Sequence, residues 1–483
     1  MSNLEIAALL GTQKTPPTIT WPNPQLADIA KQLPPQNLLA QLALMTIYQR
    51  AGQKPLSLMA QQAALAEVKR PANSKQKKPL VYLLSSDGQD YLSTWLQLAA
   101  QANIVFPYAL LPQLLTLGTQ NKKWRLAIGT VAGTRGAWLA EQNSDWAWLT
   151  GAQIALDHPK LDDHWQTANA AARELLFERL RQHQPTQALV FLQHVWQEES
   201  AATRKTLLEK LLTHLTMADH DFLEQCLDDR SKVVKEVTID LLARLPQSAL
   251  QQRMQIRLAQ HLNLKKGLIH KSLLVNAVET IDDALERDGL NPKAAEIKQG
   301  LGEKAQWLRD MVAVVSLDWL SDYYQMSPEA FVTAALKTDW AEAILSGLST
   351  AAIRQQQQTW LTALLDVDSK KCQLPRFALF NTLSDSAKES YLLADIAKIS
   401  KLNERASHLI SWLYQTQTWL WSAKLTIVIM DVYQQLLASN QNSQLHYYLA
   451  RCGDIKLVQQ ANQYPQQIVN AWLMRMEIVQ AFT

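Results

Sequence analysis

The chain has 483 residues, 47% of them hydrophobic and 19% charged, so it is long and apolar enough to fold around more than one core. Its 47 Lys and Arg residues against 44 Asp and Glu residues give a net charge of +3, which excludes a general polyanion binder of the histone kind. Only 14 Gly residues are present, fewer than loop-rich β folds and Rossmann-type nucleotide folds normally need for their turns.

The N-terminal stretch is rich in proline, with six of the 18 prolines between residues 11 and 35. Because proline lacks a backbone donor and breaks helix interiors, we predict an extended arm over residues 1–35. An N-terminal helical region follows over residues 36–150.

A basic stretch at residues 69–79 carries five positive charges and no acid. We interpret it as a solvated linker; the alternative is a contact for nucleic acid or an acidic partner.

Three glycines, Gly129, Gly133 and Gly136, cluster within the helical region. A phosphate loop of the Walker type needs Lys and then Ser or Thr after its final glycine, and neither Gly133 nor Gly136 is followed in that way. We therefore interpret the glycines as points of close helix packing and a helix-ending turn.

Residues 157–164 contain two histidines and three aspartates, a set that could bind a metal. The spacing matches no helical pair, and Pro159 places the first histidine in a loop, so we prefer capping and solvated roles. The sequence contains no Gly-x-Ser-x-Gly and no His-Glu-x-x-His motif. We therefore assign no catalytic, cofactor-binding or metal residue, and expect no cofactor.

A repeat of 31 residues is the clearest organising signal. When residues 173–200 are aligned with residues 204–231, 8 of 28 positions are identical. Each copy divides into two apolar-striped helices that cannot bury their faces alone, so the copies are expected to stack. We predict HEAT-like repeats over residues 151–275, connecting helices over 276–330 and C-terminal helical repeats over 331–483.

The turns of the repeat are predicted to be structural. Asp219 is expected to cap the second helix of its copy, and Ser231 to cap the next helix with its hydroxyl. Asp228 and Asp229 precede that helix, where its dipole favours negative charge. Arg230 is expected to reach a carboxylate of a neighbouring repeat. Asp229 and Arg230 are nevertheless kept as candidate interaction residues.

A second candidate surface lies within residues 134–146, where tryptophans stand beside Arg135. They could stack nucleobases, although tryptophans in such a pattern more often fill the seams between helices.

The sequence resembles an uncharacterised bacterial family of helical-repeat proteins. The resemblance lies in this block, in the Leu-Gly-Thr-Gln motif at residues 10–13 and in the turn at residues 226–231. The candidate interaction residues in the block are Arg135, Trp138, Asn143, Asp145 and Trp146.

Members of that family tend to be encoded beside MoxR-type AAA ATPases, von Willebrand A-domain proteins and SWIM zinc-finger proteins. The resemblance therefore implies protein partners of these classes. It provides no catalytic residue that could be assigned to this sequence.

These observations predict an all-α fold, an irregular α-solenoid of HEAT-like helix pairs with an N-terminal extended arm and helical cap. The expected function is that of a non-enzymatic scaffold or adaptor that binds protein partners in an assembly with a MoxR-type AAA ATPase. The alternative is a HEAT-like nucleic-acid-binding or DNA base-repair protein. Three widely spaced cysteines, and no signal-peptide pattern or long apolar run, favour a cytoplasmic location without membrane contact.

Overall fold

The computed structural model describes residues 20–34, 37–52, 63–86, 88–158, 160–266, 271–291, 301–368, 370–415 and 419–483. The chain divides into two compact units, residues 1–63 and residues 64–483. Most of the described residues are helical, so the predicted all-α class is confirmed.

The described part of the first unit contains two helices, α1 (Pro24–Lys31) and α2 (Leu38–Ala51). The side chain of Asn23 caps α1, and the proline at its first position needs no amide partner there. The extended arm predicted over residues 1–35 is therefore wrong where α1 forms, because proline begins this helix instead of breaking it. Residues 1–19, including the Leu-Gly-Thr-Gln motif, lie outside the described residues.

The first half of the second unit runs from a short strand to a β-hairpin. Its strands are β1 (Arg70–Pro71), β2 (Ile104–Val105), β3 (Leu262–Lys266) and β4 (Lys271–Val275). Its helices are α3 (Ser74–Lys77), α4 (Leu80–Leu83), α5 (Gln89–Gln101), α6 (Leu111–Gln120), α7 (Arg125–Val131), α8 (Gly133–Gln142), α9 (Thr150–Gln153), α10 (Leu161–Thr167), α11 (Ala170–His183), α12 (Pro185–Val195), α13 (Ala201–Lys210), α14 (His220–Cys226), α15 (Lys232–Arg244) and α16 (Ala249–His261). Short 3₁₀ helices lie at Lys122–Trp124, Ser144–Leu149 and Met217–Asp219.

In the described residues of the second half, helices are joined by turns and loops. Its helices are α17 (Asp283–Arg287), α18 (Glu303–Val312), α19 (Leu317–Tyr324), α20 (Pro328–Ala335), α21 (Ala341–Gln355), α22 (Gln358–Leu365), α23 (Arg376–Thr382), α24 (Asp385–Ala397), α25 (Leu402–Gln415), α26 (Ala423–Ala438), α27 (Leu445–Cys452) and α28 (Gln466–Gln480), with a 3₁₀ helix at Ile455–Gln463.

The basic stretch at residues 69–79 is part of the folded core of the second unit. β1 pairs in parallel with β2, and Gln76 is buried. The backbone carbonyl of Gln76 accepts a hydrogen bond from Trp95 Nε1 at 2.9 Å. The solvated-linker interpretation is therefore wrong, because strand pairing and a buried amide fix this segment even though most of its charged side chains remain in solvent.

The helices of the repeat recur at the predicted interval. The first helices of successive pairs, α11, α13 and α15, begin at Ala170, Ala201 and Lys232, which are 31 residues apart. Each is followed by a second helix, and α13 contacts both α11 and α15. The helix pairs predicted from the repeat are therefore present at these positions.

An antiparallel hairpin of β3 and β4 follows the third pair, where the sequence predicted only helices. Leu262 and Leu273 are buried, and Tyr324 Oη donates to the Leu262 carbonyl at 2.6 Å. Leu264 lies two positions along from Leu262 and pairs with Leu273, so the apolar side chains alternate as a half-buried strand requires. The prediction of helical repeats up to residue 275 is therefore wrong after His261.

The last helix, α28, packs against α5 near the beginning of the same unit. Gln76 Nε2 donates to the Ala481 carbonyl at 3.1 Å, and the rings of Phe482 and Trp95 meet edge to face with centroids 5.5 Å apart. Contacts between neighbouring helices run from α5 through the repeats to α28 and then back to α5. Helices from the beginning and the end of this unit are therefore packed against each other.

Candidate functional site

The predicted block at residues 134–146 covers nearly all of α8 and the beginning of the 3₁₀ helix after it. Arg135 is exposed, and its guanidinium lies 5.5 Å from the ring centroid of Trp138 and 5.6 Å from that of Tyr108. Trp138 itself is only half-buried. The block therefore presents one cation held on two aromatic rings.

The rest of that block serves local structure. The Asn143 side chain accepts a hydrogen bond from the Asp145 amide at 3.0 Å and starts the 3₁₀ helix. Trp146 is half-buried against the hydrophobic cluster around α5, while the Asp145 side chain is exposed. Capping and packing account for Asn143 and Trp146, so neither is carried further as a contact residue.

The glycine cluster is a place of close approach, as the sequence analysis interpreted it. A Cβ at Gly129 would stand 2.6 Å from the Cβ of Ala152, and one at Gly136 would stand 2.6 Å from the Cβ of Ala132. Gly133 has a φ of +62°, which favours glycine. The packing interpretation of these glycines is confirmed.

A ladder of charged and aromatic side chains follows the repeat. In the first copy, Arg173 Nη1 lies 3.0 Å from Glu199 Oε1. The same guanidinium lies over the ring of Trp165, which meets Phe191 edge to face. Arg173 Nε and Nη2 donate to backbone carbonyls, so each of its nitrogens has a partner.

The second copy repeats this arrangement 31 residues later. Arg204 Nη2 lies 3.0 Å from the Asp229 carboxylate, and its guanidinium lies over Trp196, which meets Phe222. Asp229 Oδ1 also accepts a hydrogen bond from the Ser231 amide at 2.8 Å. Asp229 is therefore a structural residue. The 31-residue spacing of the two tryptophans was the sequence signal for this ladder, and it was missed.

Two of the predicted caps are wrong. Ser231 stands at the start of α15, but its side chain makes no capping hydrogen bond, because Asp229 occupies that corner instead. Asp219 does not cap α14. Its carboxylate pairs with Arg181 and accepts the amide of Thr216, whose own side chain caps the short 3₁₀ helix.

The pair of Arg181 and Asp219 is the most deeply buried ion pair recorded among the described residues. The two side chains are 2% and 1% exposed, and Arg181 Nη2 lies 2.7 Å from Asp219 Oδ2. Arg181 also donates to the carbonyls of Thr213, His214 and Leu211. This arginine therefore fastens the first helix pair to the second and has no donor nitrogen left for a ligand.

A polar cavity of about 490 Å³, here named the arginine cavity, opens beside Arg230. Its walls come from α15, the turn after α17, and helices α18 and α21. Its charged and polar lining includes Arg230, Lys232, Lys235, Glu236, Glu286, Asp288, Gln306, Arg309, Asp310, Thr350 and Arg354.

Two arginines of this cavity differ in how they are held. Arg354 Nε donates to Asp240 Oδ1 at 2.8 Å, and its Nη1 donates to the Ala313 carbonyl at 2.9 Å. Arg309 Nη1 donates to Asp310 Oδ1 at 2.9 Å, whereas its buried Nε finds no partner among the described residues. A buried donor without a partner costs free energy, so Arg309 has hydrogen-bonding capacity that the fold leaves unused.

Burial perturbs the ionisable groups of the cavity in opposite directions. Burial raises the pKa of Asp310, although the charge of Arg309 and a hydrogen bond from Gln306 oppose the rise. Burial lowers the pKa of Arg354, and the neighbouring Asp240 carboxylate opposes that fall. Perturbed groups gathered at one cavity are typical of a binding site.

The mouth of the cavity is basic. Arg230 and Lys232 are exposed and Lys235 is half-buried, and none of the three forms an ion pair with a described residue. The carboxylate predicted for Arg230 in a neighbouring repeat is therefore not found; Asp228, two positions before it, pairs instead with Arg287 at 2.7 Å.

Two of the charged lining side chains form ion pairs with residues outside the lining. Asp288 pairs with Arg253 and Arg257, and Arg354 pairs with Asp240. Four positive and three negative lining side chains then remain, which leaves a net charge of +1. The remaining groups are Arg230, Lys232, Lys235, Arg309, Glu236, Glu286 and Asp310.

Within the described ranges, no three His, Cys, Asp or Glu side chains are grouped so that they could hold a metal ion. His158 and His164 meet edge to face with centroids 4.7 Å apart, and His158 Nδ1 accepts the Lys160 amide. Every described helix is too short or too polar to cross a lipid bilayer.

The whole chain can be compared with known families and proteins. The model of a family of unknown function, DUF5691, matches residues 3–482. The chain belongs to this family. The match agrees with the resemblance to an uncharacterised family but adds no chemistry. Searches of curated proteins and of solved structures found no match. The function of this DUF5691 chain must therefore be argued from its own geometry.

Proposed function

We propose that this DUF5691 chain is a non-enzymatic scaffold or adaptor, an α-solenoid of HEAT-like helix pairs that binds protein partners through the arginine cavity. The observation that supports it is the incomplete pairing of charge there. The basic mouth has no ion pairs with described residues, and Arg309 keeps a buried unpaired donor. Concave sites with a few converging polar groups are the usual places of ligand binding.

The lining favours binding over catalysis. Guanidinium, ammonium and amide groups hold anionic and polar ligands. The hydroxyl in the lining, on Thr350, donates to the Ser346 carbonyl at 3.1 Å, as a helical threonine commonly does. A nucleophile would instead need a neighbouring base within hydrogen-bond reach.

The balance of charge favours a protein partner over nucleic acid. Val233 adds an exposed apolar side chain next to the cavity mouth on α15, which a bound protein segment could cover. A nucleic-acid surface would be dominated by Lys and Arg, whereas this chain has a net charge of only +3.

The partners we propose are those implied by the family resemblance: a MoxR-type AAA ATPase, with a von Willebrand A-domain or SWIM zinc-finger protein in the same assembly. We also place this assembly in the cytoplasm. The three cysteines are free and buried, as is usual in a reducing compartment.

The test is co-purification from the native host with the tagged full-length chain, followed by mass spectrometry. We expect recovery of a protein of at least one of these classes, and loss of that protein when Arg309 is replaced by Gln. Recovery of none of them contradicts the proposed partners. Tight binding to duplex DNA that weakens steeply with salt would instead support the nucleic-acid alternative.

A further inference from the structure

The unused capacity of Arg309 has a defined geometry. Its guanidinium is held by one hydrogen bond, from Nη1 to the neighbouring Asp310, and Nε is covered and unpaired among the described residues. Turning the guanidinium into the cavity would give up one hydrogen bond and free two parallel donors. Two parallel donors are the fork that binds a carboxylate in bidentate fashion.

Asp310 keeps another hydrogen bond when Arg309 turns away from it. Its Oδ1 also accepts a hydrogen bond from Gln306 Nε2 at 2.9 Å. The guanidinium of Arg354 contributes a favourable charge from the facing helix. The carboxyl therefore stays hydrogen-bonded after Arg309 has turned.

Arg204 provides an instructive contrast. Its Nε also lacks a partner, but Nη1 donates to the Glu199 carbonyl and Nη2 to Asp229, and the guanidinium lies over Trp196. Turning Arg204 would break two hydrogen bonds and a ring contact. Of the two arginines, Arg309 therefore loses fewer contacts when it turns towards a ligand.

Charge and walls define the ligand further. The net charge of +1 in the lining matches one carboxylate and would leave a phosphate dianion only half neutralised. The apolar side chains of Ile239, Leu290, Ala313 and Val314 share the same lining. A hydrocarbon group beside the carboxylate would find apolar contacts there.

We propose that the arginine cavity binds a carboxylate of a protein segment flanked by apolar side chains, and that Arg309 turns to hold it in bidentate fashion. This inference rests on the proposed function, since it names the feature of the partner that the cavity recognises. The carboxylate comes from an acidic side chain or from a chain terminus, and these two sources can be told apart.

The experiment measures peptide affinity for the full-length chain by ligand-observed NMR, which detects weak binding. The first probe pair is the doubly capped tripeptide leucine-aspartate-leucine against leucine-asparagine-leucine. The second pair is capped trileucine with a free terminal carboxylate against its amide. We expect the carboxylate member of at least one pair to bind at least tenfold more tightly than its neutral isostere, and that pair identifies the source.

Variants then assign the effect to the fork. Arg309→Gln and the charge-preserving Arg309→Lys should each weaken binding at least tenfold, because neither offers two parallel donors. Lys337→Gln removes the same charge from an exposed position outside the cavity lining and should leave affinity unchanged. Circular dichroism and a thermal midpoint for each variant separate lost binding from lost folding.

Several results would overturn the inference. These are equal binding of the acid and its neutral isostere, no binding of any probe, full affinity in Arg309→Lys, or displacement of the peptide by inorganic phosphate at lower concentration than by acetate. The proposed function is tested separately by co-purification. A chain that recovers its partner yet ignores every carboxylate probe refutes this inference alone.

Discussion

Arginine side chains have opposite roles in the repeat region and in the arginine cavity. In the repeats, Arg181 and Arg173 have partners on every donor nitrogen, supplied by carboxylates and carbonyls of neighbouring helices and turns. In the cavity, Arg309 is held by a single hydrogen bond to the next residue in sequence. A charged side chain is therefore structural when the surrounding residues supply partners for its donors, and it is available for a ligand when they do not.

Removing one partner of the buried ion pair in the repeats should destabilise the chain most. Arg181→Gln leaves Asp219 buried without its cation, so we expect a loss of about 3–5 kcal/mol in the free energy of unfolding. Urea denaturation measures the loss. Lys205→Gln, which cuts an exposed pair with Glu209, is the matched control and should change stability by less than about 0.5 kcal/mol. Similar values for the two variants would contradict the structural role of Arg181.

The turn before α15 offers a second comparison, between neighbouring residues. Asp229→Ala removes the partner of Arg204 and the acceptor of the Ser231 amide, so we expect a loss of about 1–3 kcal/mol. Ser231→Ala removes a hydroxyl that caps nothing and should cost less than about 0.5 kcal/mol. Thermal unfolding of both variants checks the order, and a larger loss for Ser231→Ala would restore the cap predicted from the sequence.

Arg309→Gln tests whether the arginine of the cavity contributes less to stability than Arg181 does. Because one hydrogen bond holds this arginine, its loss should change the free energy of unfolding by no more than about 1 kcal/mol. Chemical denaturation beside Arg181→Gln gives the contrast directly. A loss as large as that of Arg181→Gln would show that Arg309 is a structural residue.

The pH dependence of Asp310 gives the finest test. Burial raises its pKa in the folded chain from the ordinary value of 3.8, so the folded state holds this proton more tightly than the unfolded state. Its contribution to stability is therefore greatest at pH values below 3.8 and is lost as the pH rises through the raised pKa. The groups that face it are Arg309, Gln306 and Arg354.

Asp310→Asn has no such proton to lose. The thermal midpoint of the variant relative to the wild type should therefore rise with pH across that window, because only the wild type pays for a buried negative charge. Parallel midpoints at every pH would contradict the raised pKa. The Asn variant should also bind the carboxylate probe several-fold more tightly at neutral pH, since a nearby negative charge has been removed.

The sequence predicts the features that repeat and misses those that assemble once. The 31-residue period predicted the interval between α11, α13 and α15, because each copy must present the same apolar stripe. The hairpin was missed because its alternating leucines, Leu262 and Leu264, form too short a run to stand out from a helical pattern.

The cavity was missed for a different reason. Its groups come from the repeat, from the connecting helices and from α21, and Arg354 stands more than a hundred positions after Asp240, with which it pairs. No spacing of residues along the sequence indicates that these groups lie close together in the fold. One signal was present: Arg309 and Asp310 interrupt an otherwise apolar run between Trp307 and Val312 in α18. Charged neighbours inside an apolar helix need partners from elsewhere in the fold.

The packing of α28 on α5 has a consequence for how the chain is made. Gln76 and Ala481 are separated by 405 positions, so the surface of α5 around Trp95 emerges from the ribosome long before the segment that covers it. Contacts between such distant positions form late and slowly, and an uncovered apolar surface invites aggregation meanwhile. The nascent chain therefore needs its first helices shielded, by a chaperone or by temporary contacts of their own, until α28 has been synthesised.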